Sequence, residues 1–548
     1  MLTNFDPNQI QDDQARRAVI GLLNLVEELK SENRTLREEV QRLRDENNHL
    51  KGEQGQPVVK PDQAKKKQDH SSEKERRQSK KWHKGSKVDK IEIDREEKLV
   101  VDKQTLPPDA QFKGYEPVVV QDLQIKTDNV RFWKAKYYAP STGQSYQAVL
   151  PTGYEGEFGP SLRSLVISLY YAGEMTESKI IEFLSHFKIS VSAGQVSNWL
   201  TQKNETWHRE KDEIYQAGLT SSSWQHMDDT STRVDGQNQH CHVVANPVYT
   251  AYFTRPRKDR LTLIEILQNV SESLFLLNDQ TVEWLEIFAV PKWAQRVIAP
   301  WPQHLLLSYA QFKELVNTHL ARLNEQQQAR VFEAAALSAY HHQSAMPIVS
   351  LLLSDDAPQF QFITAEHALC WVHEGRHYKK LTPFLDCHRQ LLTDFQTKFW
   401  AFYHKLQSYR ASPSPQLALG LNEMFDTLFS TVTGYDALDQ RIAKTKAKKD
   451  NLLKVLAHPE IPLHNNPAEL GARQRVRKRD ISFGPRSLDG VASWDTFMTL
   501  VATAKKLKVS FFAYIYDRVS GTMALPSLAE IIKQRSPAFH PVTTELST

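Results

Sequence analysis

Three well-separated acids are the residues best suited to chemistry. Near the carboxyl end, HNNPAELGARQRVRKRDISFG (464–484) sets one carboxylate, Glu469, ahead of Arg473, Arg475, Arg477, Lys478 and Arg479, all within about three helical turns. Asp355 closes the apolar run MPIVSLLLSD, and Asp228 sits inside WQHMDDTSTRV. Hard carboxylate oxygens suit Mg²⁺ or Mn²⁺. Two such ions about 3.5–4 Å apart activate an attacking oxygen and stabilise a leaving one in phosphodiester chemistry. On this reading the acids hold metal and the cations behind Glu469 hold the phosphates. Each acid also has a plainer explanation: a strand-end cap for Asp228, a turn former for Asp355, an ion-pair partner of Arg473 for Glu469. Their order along the chain (strand acid, strand-end acid, helix acid) favours the metal site, although composition alone leaves both open.

The surrounding elements must bring these acids together. Alternation around Trp224, His226 and Asp228, a turn at Asp235-Gly236, and β-rich runs at 240–245 and 248–253 predict three antiparallel strands. An apolar strand buried on both faces should end at Asp355 and Asp356, where a carboxylate is well placed to hold a cation. A helix after HNNP should carry Glu469, with Arg473 one turn on and on the same face. The chemistry-bearing segments 206–262, 346–380 and 458–521 are separated by mainly helical insertions at 263–345 and 381–457, and 522–548 reads as a tail. Upstream, 91–151 reads as a small β-containing module and 152–205 as three short helices. Thr176 should cap the second, which runs to about residue 187, and Ser192 the third, with Val196 and Leu200 inward. A tight helix–link–helix of this kind is helix-turn-helix spacing, with Ser192, Gln195 and Asn198 as base-facing candidates, although helical hairpins are common.

Residues 1–55 read as a leucine-zipper coiled coil, with a seven-residue beat from Val19. Leu22, Leu29, Leu36, Leu43 and Leu50 fall on one seam position; Val19, Val26, Asn33, Val40 and Asn47 fall on the other. Leu at d with Val at a favours two parallel strands, and a buried Asn at a fixes register. Glu32, Glu39 and Glu46 at g stand five residues before Arg37, Arg44 and Lys51 at e, the interhelical ion-pair spacing of a homodimer. The alternative is one amphipathic helix folded back on the protein. Residues 56–90 are basic and poor in aliphatics, so a disordered tether is expected, either a plain linker or a contact for phosphates. Of the whole chain's 548 residues, 40% are hydrophobic, with mean hydropathy −0.52 and net charge +4. No run reaches the roughly 18 apolar residues of a membrane span, and three Cys make no disulfide framework, so a soluble cytoplasmic protein without a membrane partner is expected. Cys370 and His373 could ligate zinc, but their spacing to His377, Cys387 and His388 fits no common site. A packed Cys and a His close to the pocket or to the phosphates is the favoured account.

From about residue 150 to 521 the chain resembles the DDE transposases of bacterial insertion sequences, in the insertion-sequence-sixty-six group. MDDTSTRV resembles the family's first acidic motif. SDDAPQF resembles the second and selects Asp355 over Asp356. HALCWVHEGRHYKKL resembles a Cys-x-x-His segment, and HNNPAELGARQRVRKRDISFG resembles the Asn-Asn-x-Ala-Glu motif of the third acid. The resemblance implies an α/β, RNase-H-like core with a two-metal Mg²⁺ or Mn²⁺ site made by Asp228, Asp355 and Glu469. It implies double-stranded DNA as partner, cleavage at element ends by water, then attack of a free 3′-hydroxyl on target DNA. Zipper and helix-turn-helix would suit a dimer that pairs two ends. The pattern is departed from at Asp229 (usually Glu), His464 (usually Asp) and Leu470 (usually Arg), and a two-Cys zinc knuckle found in many relatives is missing. The alternative function is a dimeric DNA-binding regulator or an inactive relic.

Overall fold

The computed structural model describes residue 7 and residues 10–50, 91–102, 106–107, 110–154 and 156–536. The basic tether expected at 56–90 lies outside the described residues. The heptad pattern forms one uninterrupted helix, α1 (Asp13–Leu50), and two of its faces differ. Leu23 and Glu27 are buried against the body of the protein. The Glu27 carboxylate accepts the backbone N–H groups of Phe384 and Leu385, and Asn24 bridges Gly434 and Asp436. On the seam, Leu22, Leu29, Leu36, Val40 and Leu43 are exposed, as are Asn33 and Asn47, while Val26 is half-buried and the Leu50 side chain is outside the described set. Residues 91–151 were expected to form a small β-containing module. Among the described residues they hold one hairpin, β1 (Lys136–Ala139) antiparallel to β2 (Gln144–Gln147). Leu99, Val118, Leu123 and Trp133 stay exposed, and strands without a buried face do not extend into a stable sheet.

Three short helices follow: α2 (Pro160–Tyr171), α3 (Glu177–Ser185) and α4 (Ala193–Thr201). Thr176 caps α3, accepting the Lys179 N–H at 3.4 Å, and Ser192 caps α4, accepting the Gln195 N–H at 3.1 Å. The link between α3 and α4 covers residues 186–192, longer than the roughly three- to four-residue turn of a helix-turn-helix. These helices also pack on the sheet. Val166, Ile180, Leu184, Val196 and Leu200 belong to the same hydrophobic core as the central sheet, and Tyr171 stacks on Phe497 with ring centroids 4.6 Å apart.

Helix α5 (Glu205–Thr220) leads into a five-stranded sheet. β3 (Trp224–Val234) reverses at Asp235-Gly236 into β4 (Gln237–Ala245), which pairs with β5 (Thr250–Arg255). Both turn residues have positive φ, 47° and 76°, the combination a two-residue hairpin needs and Asp-Gly supplies. Five helices intervene: α6 (Arg260–Gln268), α7 (Asp279–Ile287), α8 (Lys292–Ile298), α9 (Tyr309–His319) and α10 (Glu325–His341). β6 (Leu351–Ser354) then lies parallel to β3, and β7 (Glu366–Leu369) parallel to β6, giving the order β5-β4-β3-β6-β7.

Beyond β7 come α11 (Trp371–Lys379) and the second insertion, α12 (Asp386–Ala411), α13 (Pro415–Leu428), α14 (Asp436–Lys446) and α15 (Lys449–Leu452). This insertion packs with α11 in a second core, around Trp371, Phe399, Phe425 and Phe429, which also takes in Trp224, Leu353 and Leu369 of the sheet. The chain returns to the sheet through α16 (Asn466–Ser482), α17 (Leu488–Leu507), α18 (Phe511–Val519) and α19 (Leu528–Arg535). The expected tail is therefore corrected in part: α19 carries a Ser527/Glu530 capping box and buries Leu528 and Ile532. Helix α17 protects the edge of the sheet. Asp495, Thr499 and Thr503 accept the outward N–H groups of Thr254, Tyr252 and Thr250 at 2.6, 3.1 and 3.3 Å. Four helical residues advance about 6 Å and two strand residues about 6.6 Å, so the two repeats keep step. An edge covered in this way cannot recruit a foreign strand.

Candidate active site

The sheet register brings the first two acids together. His226 stands opposite Leu353 in the β3–β6 pair; two residues further on, Asp228 and Asp355 lie abreast and on the same face. Helix α16 covers that face through small residues. A Cβ at Gly471 would stand 2.7 Å from Val243 Cγ1, and Val243 is the partner of Asp228 on β4. Glu469, two residues earlier, thereby reaches the pair of aspartates. Burial first, and then the charges of Asp355 and Glu469, push the Asp228 carboxyl up to about 7. Asp356 instead pairs with Lys448, which leaves Asp355 as the acid of the pocket. Since Gly471 sets the helix-to-sheet distance, Gly471→Ala should destabilise by about 1–3 kcal/mol through overpacking, read as a drop in Tm, with a loss of activity larger than the fraction unfolded explains.

Helix α11 supplies the wall opposite. Cys370 is its cap, and His373 and Arg376 follow at helical spacing. Arg376 Nη2 donates to Glu469 Oε2 at 2.9 Å, and His373 Nδ1 lies 3.5 Å from Glu469 Oε1 and its Nε2 4.0 Å from Asp355 Oδ2. Burial raises the Glu469 pKa, but hydrogen bonds from His373 and Arg376 outweigh it and bring the group down to about 2. The Asn-Asn motif has a structural task. Asn465 Nδ2 donates to the Met227 carbonyl at 2.7 Å, its Oδ1 meets His226 Nδ1 at 2.9 Å, and its N–H reaches Cys370 Sγ at 3.3 Å. The start of α16 is thus tied to the strand that carries Asp228. Asn465→Ala leaves buried partners unsatisfied, at about 1–3 kcal/mol each.

The basic run after Glu469 divides by face. Arg473 and Arg477 are exposed and Arg479 is half-buried, donating to the Ser231 carbonyl at 2.6 Å. Arg475 and Lys478, expected on phosphates, are corrected: both are buried, Arg475 to 0% exposure. Arg475 pairs with Asp495 at 3.4 Å and donates to Thr254 Oγ1 at 2.9 Å. Lys478 donates to the Tyr170 carbonyl, its ammonium 3.4 Å from that residue's ring centroid. They fasten α16 to α17 and α2. Of the base-facing candidates, Ser192 and Asn198 are exposed and Gln195 is half-buried. Arg376, Asn465 and His226 were not among the expected site residues. The Cys370-x-x-His373-x-x-Arg376 spacing, one residue per helical turn on a single face, was the available signal for Arg376.

A mixed sheet whose central parallel strands and covering helix deliver acids to one half-buried pocket defines an α/β protein built around an acidic site. Residues 155–280 and 320–492, more than half of the chain, match the profile described as the Transposase IS66 family. The chain belongs to that family, whose members are nucleic-acid-processing proteins with DNA as partner. All three acids lie inside the matched residues. The chain is also 33% identical over 324 residues to the uncharacterised protein y4jO of Sinorhizobium fredii (strain NBRC 101917 / NGR234), covering 58% of this chain and 99% of that protein. Among the described residues no helix is long and apolar enough to cross a membrane.

Proposed function

We propose that this transposase cuts and joins DNA at element ends through a DDE-type site in which Asp228, Asp355 and Glu469 hold two divalent cations, Mg²⁺ or Mn²⁺. The observation that carries the reading is the convergence of the acids: Asp228 and Asp355 lie abreast in the β3–β6 register, His373 lies 4.0 Å from Asp355 and 3.5 Å from Glu469, and burial with the charges of both acids pushes the Asp228 carboxyl up to about 7. Like charges gathered in a partly buried pocket weaken a fold unless a cation joins them. The donor set fits such an ion: carboxylate oxygens suit hard divalent metals, and Glu469 Oε1 is buried with the His373 imidazole beside it at 3.5 Å. Bound there, the cations supply Lewis acidity to the attacking and leaving oxygens of a phosphodiester. The strand order, with β4 alone running against the rest, supports an RNase-H-like core. Arg376 keeps Glu469 ionised, and Asn465 holds α16 against β3. Exposed Arg473 and Arg477, with Arg479, give the phosphates a basic flank beside the acids. Ser192, Gln195 and Asn198 are the base-reading candidates. The experiment is direct: purified protein with Mg²⁺ nicks or joins DNA carrying its own element's ends. Intact DNA under conditions where the protein is folded and bound to those ends would reject the proposal.

The same reading makes the active species a dimer through α1. The exposed Leu row with Asn33 and Asn47 on the seam is what a parallel two-stranded coil covers, and the docking face of Leu23, Asn24 and Glu27 leaves it open. Replacing Asn33 and Asn47 by Val should loosen oligomer choice, seen in sedimentation as a move from dimer to a mixture. An unchanged monomer for both proteins would refute the zipper dimer.

A further inference from the structure

The pocket also gathers a set of softer ligands. Cys370, His373 and Glu469 each offer one ligand atom, and these three atoms lie within 4.8 Å of one another. Sequence spacing could not show this, because Glu469 joins the other two only through the packing of α16 beside α11. The sulfur is held as an acceptor: the His373 N–H reaches it at 3.4 Å and the Asn465 N–H at 3.3 Å. Cys370 itself is buried at the cap of α11. Arg376 occupies Glu469 Oε2 at 2.9 Å, and the buried Oε1 faces the His373 imidazole, whose Nδ1 lies 3.5 Å away. Thiolate, imidazole and carboxylate together are a zinc set, and three protein ligands with an open fourth position is a common Zn²⁺ arrangement. The atoms stand within about an ångström of the spacing that tetrahedral bonds of roughly 2.0–2.3 Å require.

From this geometry we infer that Cys370, His373 and Glu469 form a site for Zn²⁺ that competes with the hard-metal site for Glu469. One Zn²⁺ takes Cys370 Sγ, an imidazole nitrogen of His373 and Glu469 Oε1, with water in the fourth position. A carboxylate committed to zinc is withdrawn from the acids that hold Mg²⁺, so zinc switches off DNA cleavage. The site stands on the ligand geometry alone, whereas the inhibition rests on the DDE reading above.

Two measurements on the full-length protein separate these parts. The first uses Co²⁺ as an absorbing stand-in for Zn²⁺. One Co²⁺ per chain should bind with a thiolate-to-metal charge-transfer band, displaced by Zn²⁺. Cys370→Ser should remove the band, and Glu469→Gln should weaken Zn²⁺ by more than the roughly 10–100-fold typical of losing an outer-shell partner. Cys387→Ser should leave both unchanged. A missing band in the wild type, or one that survives Cys370→Ser, overturns the site. Should circular dichroism show Cys370→Ser unfolded, Glu469→Gln decides: unaltered Zn²⁺ affinity overturns it equally. In the second measurement, Zn²⁺ should suppress Mg²⁺-dependent nicking of end DNA and excess Mg²⁺ should restore it. Nicking untouched by a zinc-loaded protein overturns the competition. A protein that binds Co²⁺ as expected but never nicks DNA counts against the DDE reading and leaves the zinc site standing.

Discussion

Asp228→Asn, Asp355→Asn and Glu469→Gln should each abolish Mg²⁺-dependent cleavage and joining of end DNA, by about 10³-fold or more, while leaving binding of that DNA intact. A bound cation stabilises several kcal/mol of developing charge, and each 1.36 kcal/mol is tenfold in rate. Each amide keeps the shape of the acid and loses the charge that holds the ion. The same substitution has a second signature at Asp228. Its folded pKa, about 7, exceeds the ordinary carboxylate value, so its contribution to stability is fully present below the unfolded value and is lost as pH rises through about 7. Metal-free Asp228→Asn should therefore have a higher Tm than the wild type at pH 8 and differ less from it at pH 5. Mg²⁺ should raise the wild-type Tm and leave the variant unmoved. Full activity in the three variants would remove the site assignment.

Arg475→Ala should destabilise the protein by about 3–5 kcal/mol, because it strands Asp495 as a buried charge and empties the space beside Trp494, whose ring centroid lies 4.7 Å from the guanidinium. Asp495 also accepts the N–H and hydroxyl of Thr254 at 2.6 and 2.8 Å, so edge strand β5 loosens with it. The exposed Arg477 should behave in the opposite way. Arg477→Ala should change stability by less than about 0.5 kcal/mol, weaken DNA binding, and reduce the salt slope by roughly one. Denaturant unfolding and salt-dependent binding of both variants check the pair. Equal stability for Arg475→Ala and wild type would contradict the buried network.

These two arginines, two residues apart, mark where sequence reading stopped short. Ala468, Gly471, Arg475 and Lys478 repeat at helical spacing and form the inward stripe of α16, while Glu469, Arg473 and Arg477 run along the other side. The period was present, but basic residues on an apolar stripe read as surface until α17 supplies Asp495 and α2 supplies a carbonyl. Local signals fared better. The Asp235-Gly236 turn, the alternation of β3 and the apolar run of β6 are written in neighbouring residues, and so were found, with Asp228 and Asp355 at their expected places. The caps Thr176 and Ser192 are equally local. The merging of α2–α4 with the central core, the docking of α19, and the match of Asp495, Thr499 and Thr503 to the edge of β5 depend on partners hundreds of residues away. In 91–151 the β-forming residues give one hairpin, and among the described residues its strands bury no face.

Asp228 on β3, Asp355 just past β6 and Glu469 on α16 should grip divalent cations in one pocket. Fe²⁺ substituted for Mg²⁺ in the folded protein, with ascorbate and peroxide, generates hydroxyl radicals at the bound ion and cuts the nearby backbone. Cuts clustered near residues 228, 355 and 469, suppressed by excess Mg²⁺ and absent in Asp228→Asn, are the predicted result. Cuts at only one of those segments, or a pattern indifferent to Mg²⁺, would contradict it.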